Sequence, residues 1–595
     1  MRSFALAVFF VAAAAGLQVA PARADVPKVV ILGVSDSRLR QQLAQAVGTA
    51  KAPPQSRFEA RRRAQSTADD VIAVLRSEGY YEYDVEPDVG TGDQPQAVIK
   101  VTPGPRFTFA EPDIEWSGEA PTPEAALAAV SSIGLTIGAP GRAADILAAE
   151  GRIVTIIEKR GYADARLQPR EVVVDHATHT VQTTFHIEAG PRVLMDGVKV
   201  STRGRTRLAY VNRLIPWRAG AVYDPEDIAE LERRLRETSV YDAVAVTLAP
   251  ADQVLPNGER PVDVSLTDKA RSTLELGASY STAEGSGVDG RWIVYNHLGV
   301  GDTITVDTQV ANILTKGEVD LALPDLRQAG QTLKLSASVY KDDTSAYIEN
   351  GARLASDIQR KLTKADSIDV GLSLDVSRDQ EPNVVNNVLV VDYRRLLTVT
   401  GLLSGTADHS DDLLNPKRGW RISATLEPTA SFGDGPIDYL KAQAQVSAYL
   451  PFNASGSTDL AGRIHIGDIF NGSIPGVPAA RRFYAGGGGS VRGYGYQEVG
   501  PRFPNDAPEG GISLLEGTLE LRQQVLGPWS VAAFVDTGVL GTTQAFNLSA
   551  VETGVGMGLR YDLGFAPLRV DVALPIERRS GDSPFQIYIS IGQSF

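Results

Sequence analysis

The chain has 595 residues, no cysteine and a formal net charge of −14 at pH 7. The acidic balance argues against nucleic acid as a partner, and the lack of cysteine excludes a disulfide framework and thiolate metal sites. Because this length exceeds what one hydrophobic core usually holds, two or more domains are expected.

The first two dozen residues are typical of a secretory signal peptide. Arg2 precedes an apolar run over residues 4–17, and the small-residue sequence Ala-Arg-Ala follows at residues 22–24. The apolar run is shorter than the roughly 20 residues of a spanning helix, which disfavours an uncleaved membrane anchor. We therefore predict export with cleavage after Ala24. The rest of the sequence has no apolar run long enough for a spanning helix, but this does not exclude a membrane β-barrel.

A repeated unit follows the signal peptide. The motif GPRF at residues 104–107 recurs as GPRV at 190–193, and EGYYEYDV at 78–85 corresponds to RGYADARL at 160–167. A degenerate third copy is TSVYDAVAV at 238–246. Each copy follows a helical pattern and precedes alternating residues, so each unit is predicted to run strand, helix, helix, strand, strand.

Apolar residues at helical spacing mark one helix in each unit. The third of these helices has Asp224 as its predicted N-cap and Pro225 in its first turn. Three such units predict an arm that binds other chains through exposed strand edges, with passive spacers as the alternative. The helical positions are Ile72 and Leu75, then Leu147, Val154 and Ile157, then Ile228, Leu231 and Leu235.

Near Arg271 the helical pattern stops, and alternating segments continue to the last residue. In SIDVGLSLDV, residues 367–376, apolar residues alternate with Asp, Gly and Ser. A soluble sandwich with one wet face would give the same alternation. A barrel in lipid is favoured because the polar face carries charged residues, as a wet lumen allows, and because the chain ends in an alternating strand that can close a barrel. Residues 271–595, at roughly 20 residues per strand and connection, allow about sixteen strands.

Catalytic and metal-binding patterns are missing from the sequence. His176 and His179 lie in a predicted hairpin turn, and GVGMG at 554–558 lies on a strand, unlike a nucleotide fingerprint. Ser490 lacks the glycine that a nucleophile elbow requires. The acidic stretch 408–416 is predicted to be a solvated turn, with a cation site as the alternative. We therefore expect no enzymatic activity, no cofactor and no metal.

A connection from about residue 468 to residue 511 shows no strand pattern, and so long a structureless segment is usually functional or disordered. Within it, RRFYAGGGGSVRGYGYQEVGP resembles the lid-loop signature of the outer-membrane assembly-factor superfamily. The N-terminal units are similar to the POTRA domains of that superfamily. Further stretches resemble its barrel strands: LNPKRGW at 414–420, FVDTG at 534–538, GLRYDLGFAPLRVDVALPI at 558–576 and FQIYISIGQSF at 585–595.

This resemblance implies an α+β periplasmic part followed by an all-β membrane domain. The expected architecture is three POTRA domains and a transmembrane antiparallel β-barrel of about 16 strands. The expected boundaries are a signal peptide at 1–24, POTRA domains at 25–104, 105–190 and 191–269, and a barrel at 270–595 with its lid loop at about 468–511.

In the superfamily, the lid loop folds back into the lumen, where its arginine pairs with acids on the wall. The motif here is Val491, Arg492, Gly493 and Tyr494, with Asp536 as the expected partner of the arginine and Glu520 as a second candidate. Arginine offers five donors in a planar fork, so two carboxylates can fix it. A lumenal Asp536 requires Phe534, on the same strand face, to point inward as well. The alternative is a flexible external loop.

The resemblance also implies a weak seam between the first and last strands, near 273–280 and 585–595, which opens sideways and receives a nascent strand by augmentation. Glycine lowers strand stability and permits a kink, so Gly592 is expected to weaken this seam, with close packing as the alternative. The expected lateral-gate residues are Leu274, Leu276, Ile587, Ile589, Gly592 and Phe595.

Three units before a barrel of this size resemble the TamA branch, the translocation and assembly module subunits. This branch implies an insertase for autotransporters and other β-barrel proteins in the outer membrane of a Gram-negative bacterium, with POTRA domains in the periplasm. The alternatives are a two-partner-type secretion pore for a dedicated exoprotein, a passive porin and an outer-membrane enzyme.

The partners implied for this branch are unfolded outer-membrane proteins, outer-membrane lipid and a TamB-like protein, anchored in the inner membrane, that docks at the first POTRA domain. A basic cluster is the candidate contact for the TamB-like protein, with a solvated helix face as the alternative. Its members are Arg57, Arg61, Arg62 and Arg63.

Overall fold

The computed structural model describes residues 26–593, apart from residues 93, 283–284, 386–387, 454–455, 565 and 580. The predicted signal peptide and Phe595 lie outside the described residues. The described chain separates into two compact units: residues 26–196, 219–227 and 250–260 form one, and residues 197–218, 228–249 and 261–593 form the other. No helix in this part of the chain is both long and apolar enough to cross a membrane.

The first sheet of the N-terminal region has the order β2-β5-β4, and two helices cover it. Ser56 caps the second helix by accepting a hydrogen bond from the Glu59 N–H at 3.1 Å. Leu43, Val71, Leu75 and Ile99 are buried in the core between helices and sheet. The elements are β1 Val26–Pro27, β2 Val30–Leu32, α1 Ser37–Val47, β3 Thr49–Ala50, α2 Arg57–Ser77, β4 Asp84–Val89 and β5 Ala97–Thr102.

The second sheet is built around β10, which pairs with every other strand of that sheet. Helices α3 and α4 pack on it through a core that includes Phe107, Ile153 and Phe185. The elements are β6 Thr108–Phe109, β7 Asp113–Trp116, α3 Pro123–Ser132, α4 Ala143–Glu158, β8 Arg166–Leu167, β9 Glu171–Asp175 and β10 Thr180–Glu188.

The third sheet has the order β12-β11-β14-β13. Asp224 precedes its longer helix and accepts a hydrogen bond from the Glu226 N–H at 2.9 Å, as an N-cap does. Pro225 is the first residue of that helix, where a missing N–H costs nothing. The elements are β11 Leu194–Thr202, α5 Leu208–Leu214, β12 Ala221–Val222, α6 Pro225–Glu237, β13 Tyr241–Leu248 and β14 Glu259–Asp268.

The N-terminal region therefore combines helices with sheets, as predicted. Leu147, one of the residues whose spacing marks α4 in the sequence, lies off the buried face, and its side chain is 53% exposed. The buried stripe of α4 runs through Ile146, Ala149, Ile153 and Ile157. The sequence has adjacent apolar residues at 146–147 and 153–154, so helical spacing alone does not decide which residue of each pair is buried.

The C-terminal region is a closed antiparallel barrel of sixteen strands, the number predicted from the sequence. The strands are β15 Ser272–Ser281, β16 Gly285–Tyr295, β17 Thr303–Ala311, β18 Leu314–Leu323, β19 Gln331–Asp343, β20 Ile348–Lys361, β21 Asp366–Val385, β22 Val388–Asp408, β23 Gly419–Gly433, β24 Ile437–Pro451, β25 Thr458–Phe470, β26 Ser513–Leu526, β27 Trp529–Gly541, β28 Glu552–Asp562, β29 Pro567–Pro575 and β30 Gln586–Ile591.

Alternation along each strand separates an apolar outer face from a polar lumen. On β21, Leu372 and Val376 are more than half exposed, whereas Asp375 and Asp379 between and beyond them are buried. This distribution is the inverse of a soluble core and is the pattern of a barrel with an apolar belt around a wet interior.

Candidate functional site

The loop between β25 and β26, residues 471–512, is the lid loop. It contains one 3-10 turn, Ala479–Arg481, and three isolated bridges, including Phe483 with Gly511 and Ala485 with Val499. Val491 is fully buried and Arg492 is only 1% exposed. The loop therefore lies inside the barrel, with its motif against the wall.

Arg492 is held by carboxylates on three strands. Its Nε and Nη2 donate to the two carboxylate oxygens of Asp536 on β27 at 2.6 and 3.0 Å, a bidentate pair. Its Nη1 donates to Glu520 on β26 at 2.8 Å and to Asp571 on β29 at 3.1 Å. The backbone N–H of Arg492 also donates to Asp536, at 3.1 Å. One side chain thus ties the loop to three separate strands.

Phe534 points into the lumen, as the alternation of β27 requires once Asp536 does. The Arg492 guanidinium carbon lies 3.3 Å from the centre of its ring. A cation over an aromatic face is stabilised further when both are desolvated, and Phe534 is only 5% exposed. The inward aromatic residue is therefore part of the arginine site.

Glycines on β28 make room for the loop. A Cβ atom at Gly554 would lie 1.8 Å from the Arg492 carbonyl oxygen, and one at Gly556 would lie 2.3 Å from the Phe534 ring. Gly493 has φ +105, a conformation that other residues rarely adopt. On β28, Gly554 thus leaves a groove for the lid loop and Gly556 leaves room for the inward Phe534 ring, and the alternating glycines of GVGMG were a signal for this in the sequence.

A second set of contacts holds the lid loop near its start. Arg481 lies 3.1 Å from both Glu349 on β20 and Asp375 on β21. Arg394 on β22 donates to the carbonyl oxygens of Pro475 and Gly476 at 2.7 and 3.0 Å. The lid loop is therefore bonded to β20–β22 near its start and to β26–β29 at its motif, and it crosses the lumen between them.

Sequence reasoning did not single out Asp571, Arg481 or the partners of Arg481. Arg481 stands inside the quoted signature, and Asp571 stands on the polar face of PLRVDVALPI, so both had a weak signal. The remaining expected motif residue, Tyr494, is buried, and its hydroxyl lies 3.3 Å from the Thr553 and Glu577 carbonyl oxygens.

The seam between β15 and β30 has far fewer registered residue pairs than the adjacent strand pairs of the barrel. Its registered partners are Tyr280 with Ile589 and Ser281 with Tyr588. Beyond them, the Thr282 hydroxyl donates to the Gln586 side chain at 2.6 Å and accepts from the Ile587 N–H at 2.9 Å. By comparison, β29 and β30 share six registered pairs, and β15 and β16 share ten.

The expected gate residues lie on both sides of this seam. Leu274 and Leu276 are exposed on β15, in a stretch with no registered partner on β30 in the described chain. Ile587 and Ile589 lie on β30, where Ile589 is 43% exposed. Gly592 follows the end of β30 with φ +94, so it turns the chain after the strand rather than interrupting the ladder.

Other expected features take simple structural positions. His176 and His179 lie in the turn between β9 and β10 and contact Glu82 at 3.1 and 3.4 Å. Hydrogen bonding to His176 lowers the pKa of Glu82. Among the described residues, no group of three or more His, Asp or Glu side chains is arranged to hold a metal ion.

Residues 296–595 match the family model of the Omp85 superfamily domain. The chain belongs to the Omp85 superfamily. The outer membrane protein assembly factor BamA of Neisseria meningitidis serogroup B is 22% identical to this Omp85 protein over 599 residues, covering 89% of the chain and 72% of BamA. BamA of Neorickettsia risticii is 21% identical over 461 residues, covering 74% of the chain and 60% of that relative.

The Omp85 protein also resembles a solved structure, BamA from Haemophilus ducreyi lacking POTRA domains 1–3. The TM-score is 0.67 at 17% identity, with 82% of this chain and 100% of that chain covered. At this identity the likeness shows the fold, which is an Omp85 barrel preceded by an α/β region.

Proposed function

We propose that this Omp85 protein is an outer-membrane assembly factor of the TamA type, which promotes insertion and translocation of autotransporters and other β-barrel proteins. The observation that carries the proposal is the seam. Residues 272–279 of β15 present a backbone edge with no registered partner on β30 in the described chain. Such an edge pairs readily with another extended chain, so it is the place for a nascent strand to add.

The proposal places the barrel in the outer membrane of a Gram-negative bacterium and the N-terminal region in the periplasm as POTRA domains at 25–104, 105–190 and 191–269. The exposed apolar faces of strands such as β21 support a lipid-facing barrel. The strand-helix-helix-strand-strand order around the first and second sheets supports repeated modules of one kind.

The lid loop favours a lateral route over a route through the lumen. It is bonded to β20–β22 through Glu349, Asp375 and Arg394, and to β26–β29 through Arg492. A substrate passing along the lumen would have to break both sets of buried charged contacts, which is costly in a site shielded from water. Opening the seam leaves both sets intact.

A disulfide across the seam tests the proposal, and the chain has no native cysteine to interfere. Tyr280→Cys with Ile589→Cys joins registered partners of β15 and β30. Val370→Cys with Leu403→Cys joins registered partners of β21 and β22 and is the matched control. The readout is insertion of an autotransporter barrel into liposomes that contain each oxidised or reduced variant.

Insertion is expected to stop when the seam disulfide forms, to return on reduction and to continue in the control. Insertion that continues with a verified seam disulfide would overturn the lateral route and support a pore through the lumen, as in a two-partner-type secretion transporter. The proposed mechanism uses strand pairing alone and requires no catalytic residue.

A TamB-like, inner-membrane-anchored protein is the proposed partner of the first POTRA domain. Arg57, Arg61 and Arg62 are exposed on α2, whereas Arg63 is half-buried and donates to Glu59. Neutralising the three exposed charges is expected to weaken binding of a purified TamB-like protein and to remove most of its salt dependence. Unchanged affinity and salt dependence would assign these arginines to a solvated face.

A further inference from the structure

Two arginines oppose each other on the outward surface of the barrel. Arg378 on β21 and Arg395 on β22 are registered partners, and both side chains are exposed. The Cβ atoms of such partners lie about 5 Å apart, and like charges placed directly opposite each other destabilise a sheet. In the described chain neither guanidinium has an ion pair, and the nearby Asp434 bonds instead to the Arg395 backbone N–H, at 3.0 Å. The pair therefore carries two positive charges that the protein leaves uncompensated.

The arginine pair lies at one boundary of the apolar belt. Val376, Leu397 and Phe432 form the adjacent outward row and are exposed, and Tyr393, on the other side of the arginines, is 69% exposed. Cations and aromatic residues beside an apolar belt are typical of the level at which a barrel meets lipid headgroups. This boundary is at the end of the barrel away from β14, because β15 starts next to β14 and successive strands alternate in direction.

An apolar groove of about 470 Å³ continues from this row along the outward face of β22–β25. Pro428 on β23 has no N–H to donate, and the registered ladder between β22 and β23 is interrupted there. Gly401 on β22 lies beside it, where a Cβ atom would be 3.1 Å from the Pro428 Cγ atom. The missing side chain leaves a gap whose apolar walls suit hydrocarbon. The lining includes Val399, Gly401, Pro428, Ala430, Leu440 and Phe470, with Asp438 as a charged member.

We propose that Arg378 and Arg395 together bind one phosphate of a phosphorylated glycolipid of the lipid A class, with an acyl chain of that lipid in the groove. The inference rests on the proposed function, which places the N-terminal region in the periplasm and the turn between β21 and β22 at the cell surface. The surface leaflet of a Gram-negative outer membrane is built from such glycolipids.

A shared phosphate offsets the repulsion between the two arginines. Each guanidinium presents N–H donors in a planar fork that matches two phosphate oxygens, and such charge-assisted hydrogen bonds are stronger than neutral ones. Leu397 lies between Arg395 and the groove residue Val399 on one face of β22, so headgroup and acyl chain reach adjacent sites. Since β22 is the eighth of sixteen strands, the bound lipid lies half-way round the barrel from the seam.

The first test measures binding of lipid A to the purified full chain in detergent micelles by calorimetric titration. Arg378→Gln with Arg395→Gln is expected to weaken binding roughly tenfold, because both charged contacts to the phosphate are lost. Lipid A stripped of its phosphates should bind the parent no better than lipid A binds this variant. The matched control is Arg327→Gln with Arg360→Gln, two exposed arginines that lie towards the opposite boundary of the belt.

Binding by the control should stay within about twofold of the parent, since screened charges at that distance contribute little. Equal affinity of the parent and the Arg378→Gln, Arg395→Gln variant for lipid A would overturn the inference. Phosphatidylglycerol that binds as tightly as lipid A would overturn the assignment to a glycolipid. Inorganic phosphate that displaces lipid A at equal concentration would assign the arginines to a free ion.

The second test fills the groove and leaves both arginines in place. Ala430→Phe should weaken lipid A binding roughly fivefold, because the acyl chain loses apolar contact area. Ala424→Phe is the control, since Ala424 is an exposed outward residue of the same strand that does not line the groove. Unchanged lipid A affinity in Ala430→Phe would overturn the acyl-chain part of the inference.

The lipid site and the proposed function fail separately, because lipid binding is measured without a substrate. If a verified seam disulfide leaves insertion unchanged while lipid A binding still depends on Arg378 and Arg395, the insertase mechanism is wrong and the lipid site stands. If the seam disulfide stops insertion but neutralising the two arginines leaves lipid A binding unchanged, only the lipid site is wrong.

Discussion

The Arg492 site and the seam lie on neighbouring strands of one barrel wall, yet they are held in opposite ways. At the first, one buried guanidinium bonds to three carboxylates, including Asp571 on β29. At the second, β15 and β30 share two registered pairs. The contrast teaches that the buried charged contacts of the lid motif lie beside the interface that, among the described strands, has the fewest registered pairs. Opening that interface therefore costs little of the bonding that keeps the barrel folded.

Arg492→Ala removes the cation of the strongly bonded Arg492 site and should have the largest effect on stability. It removes the cation that Asp536 shares with Glu520 and Asp571, and removing one partner of a buried charged pair typically costs about 3–5 kcal/mol. Glu520 and Asp571 keep contacts with Arg560, so the loss falls mainly on Asp536. The measurement is urea unfolding of the folded barrel in lipid. Arg395→Ala, at an exposed arginine on β22, is the control and should change stability by less than about 0.5 kcal/mol. Equal stability of the two variants would contradict a stabilising role for the lid site.

Gly554→Ala tests whether the β28 groove positions the lid. A Cβ atom there would lie 1.8 Å from the Arg492 carbonyl oxygen, and forcing extra volume into a packed site typically costs about 1–3 kcal/mol. Urea unfolding should show this loss, and trypsin should cleave the lid faster. Gly405→Ala, where a Cβ atom has nothing within 4 Å, should show neither effect. A tolerated alanine at Gly554 would mean that the loop does not need this close approach.

Thr282→Val should have the smallest effect on the fold, and it tests the weakly paired seam between β15 and β30. It removes the hydroxyl that bonds to Gln586 and to the Ile587 N–H, worth about 1 kcal/mol at the seam. Stability to urea should fall by no more than about 1 kcal/mol, while the yield of the Tyr280→Cys with Ile589→Cys disulfide falls. Thr308→Val, which removes a hydroxyl bonded to the Gly290 carbonyl oxygen, should leave the yield unchanged. A large loss of global stability at Thr282 would show that the seam supports the whole barrel.

The barrel could be predicted because the alternation that marks each of its strands is a local feature of the sequence. Alternation along each strand reports the boundary between apolar surroundings and a polar lumen, so sixteen strands follow from the pattern and the length. The same kind of local pattern locates α4 but not its buried face, because apolar residues are adjacent at 146–147 and 153–154 and only Ile146 and Ile153 are buried.

The site was predictable only in part. Asp536 and Glu520 came from a motif resemblance, and both contact Arg492. Sequence reasoning missed Asp571, Tyr588 and the carboxylates that hold Arg481. Alternation shows that such residues face the lumen, but which of them meets the lid depends on the path of a long loop across the barrel. That path is set by contacts between residues far apart in the chain, such as Gly493 with Tyr588, for which no local pattern exists.

The most direct test of the account measures whether the seam opens during insertion. Nitroxide labels at Tyr280→Cys and Ile589→Cys sit on registered partners, close enough for strong dipolar broadening in the closed barrel. The account predicts that an unfolded autotransporter barrel reduces this broadening while labels at Val370→Cys and Leu403→Cys keep theirs. Unchanged broadening at the seam while insertion proceeds would contradict lateral opening.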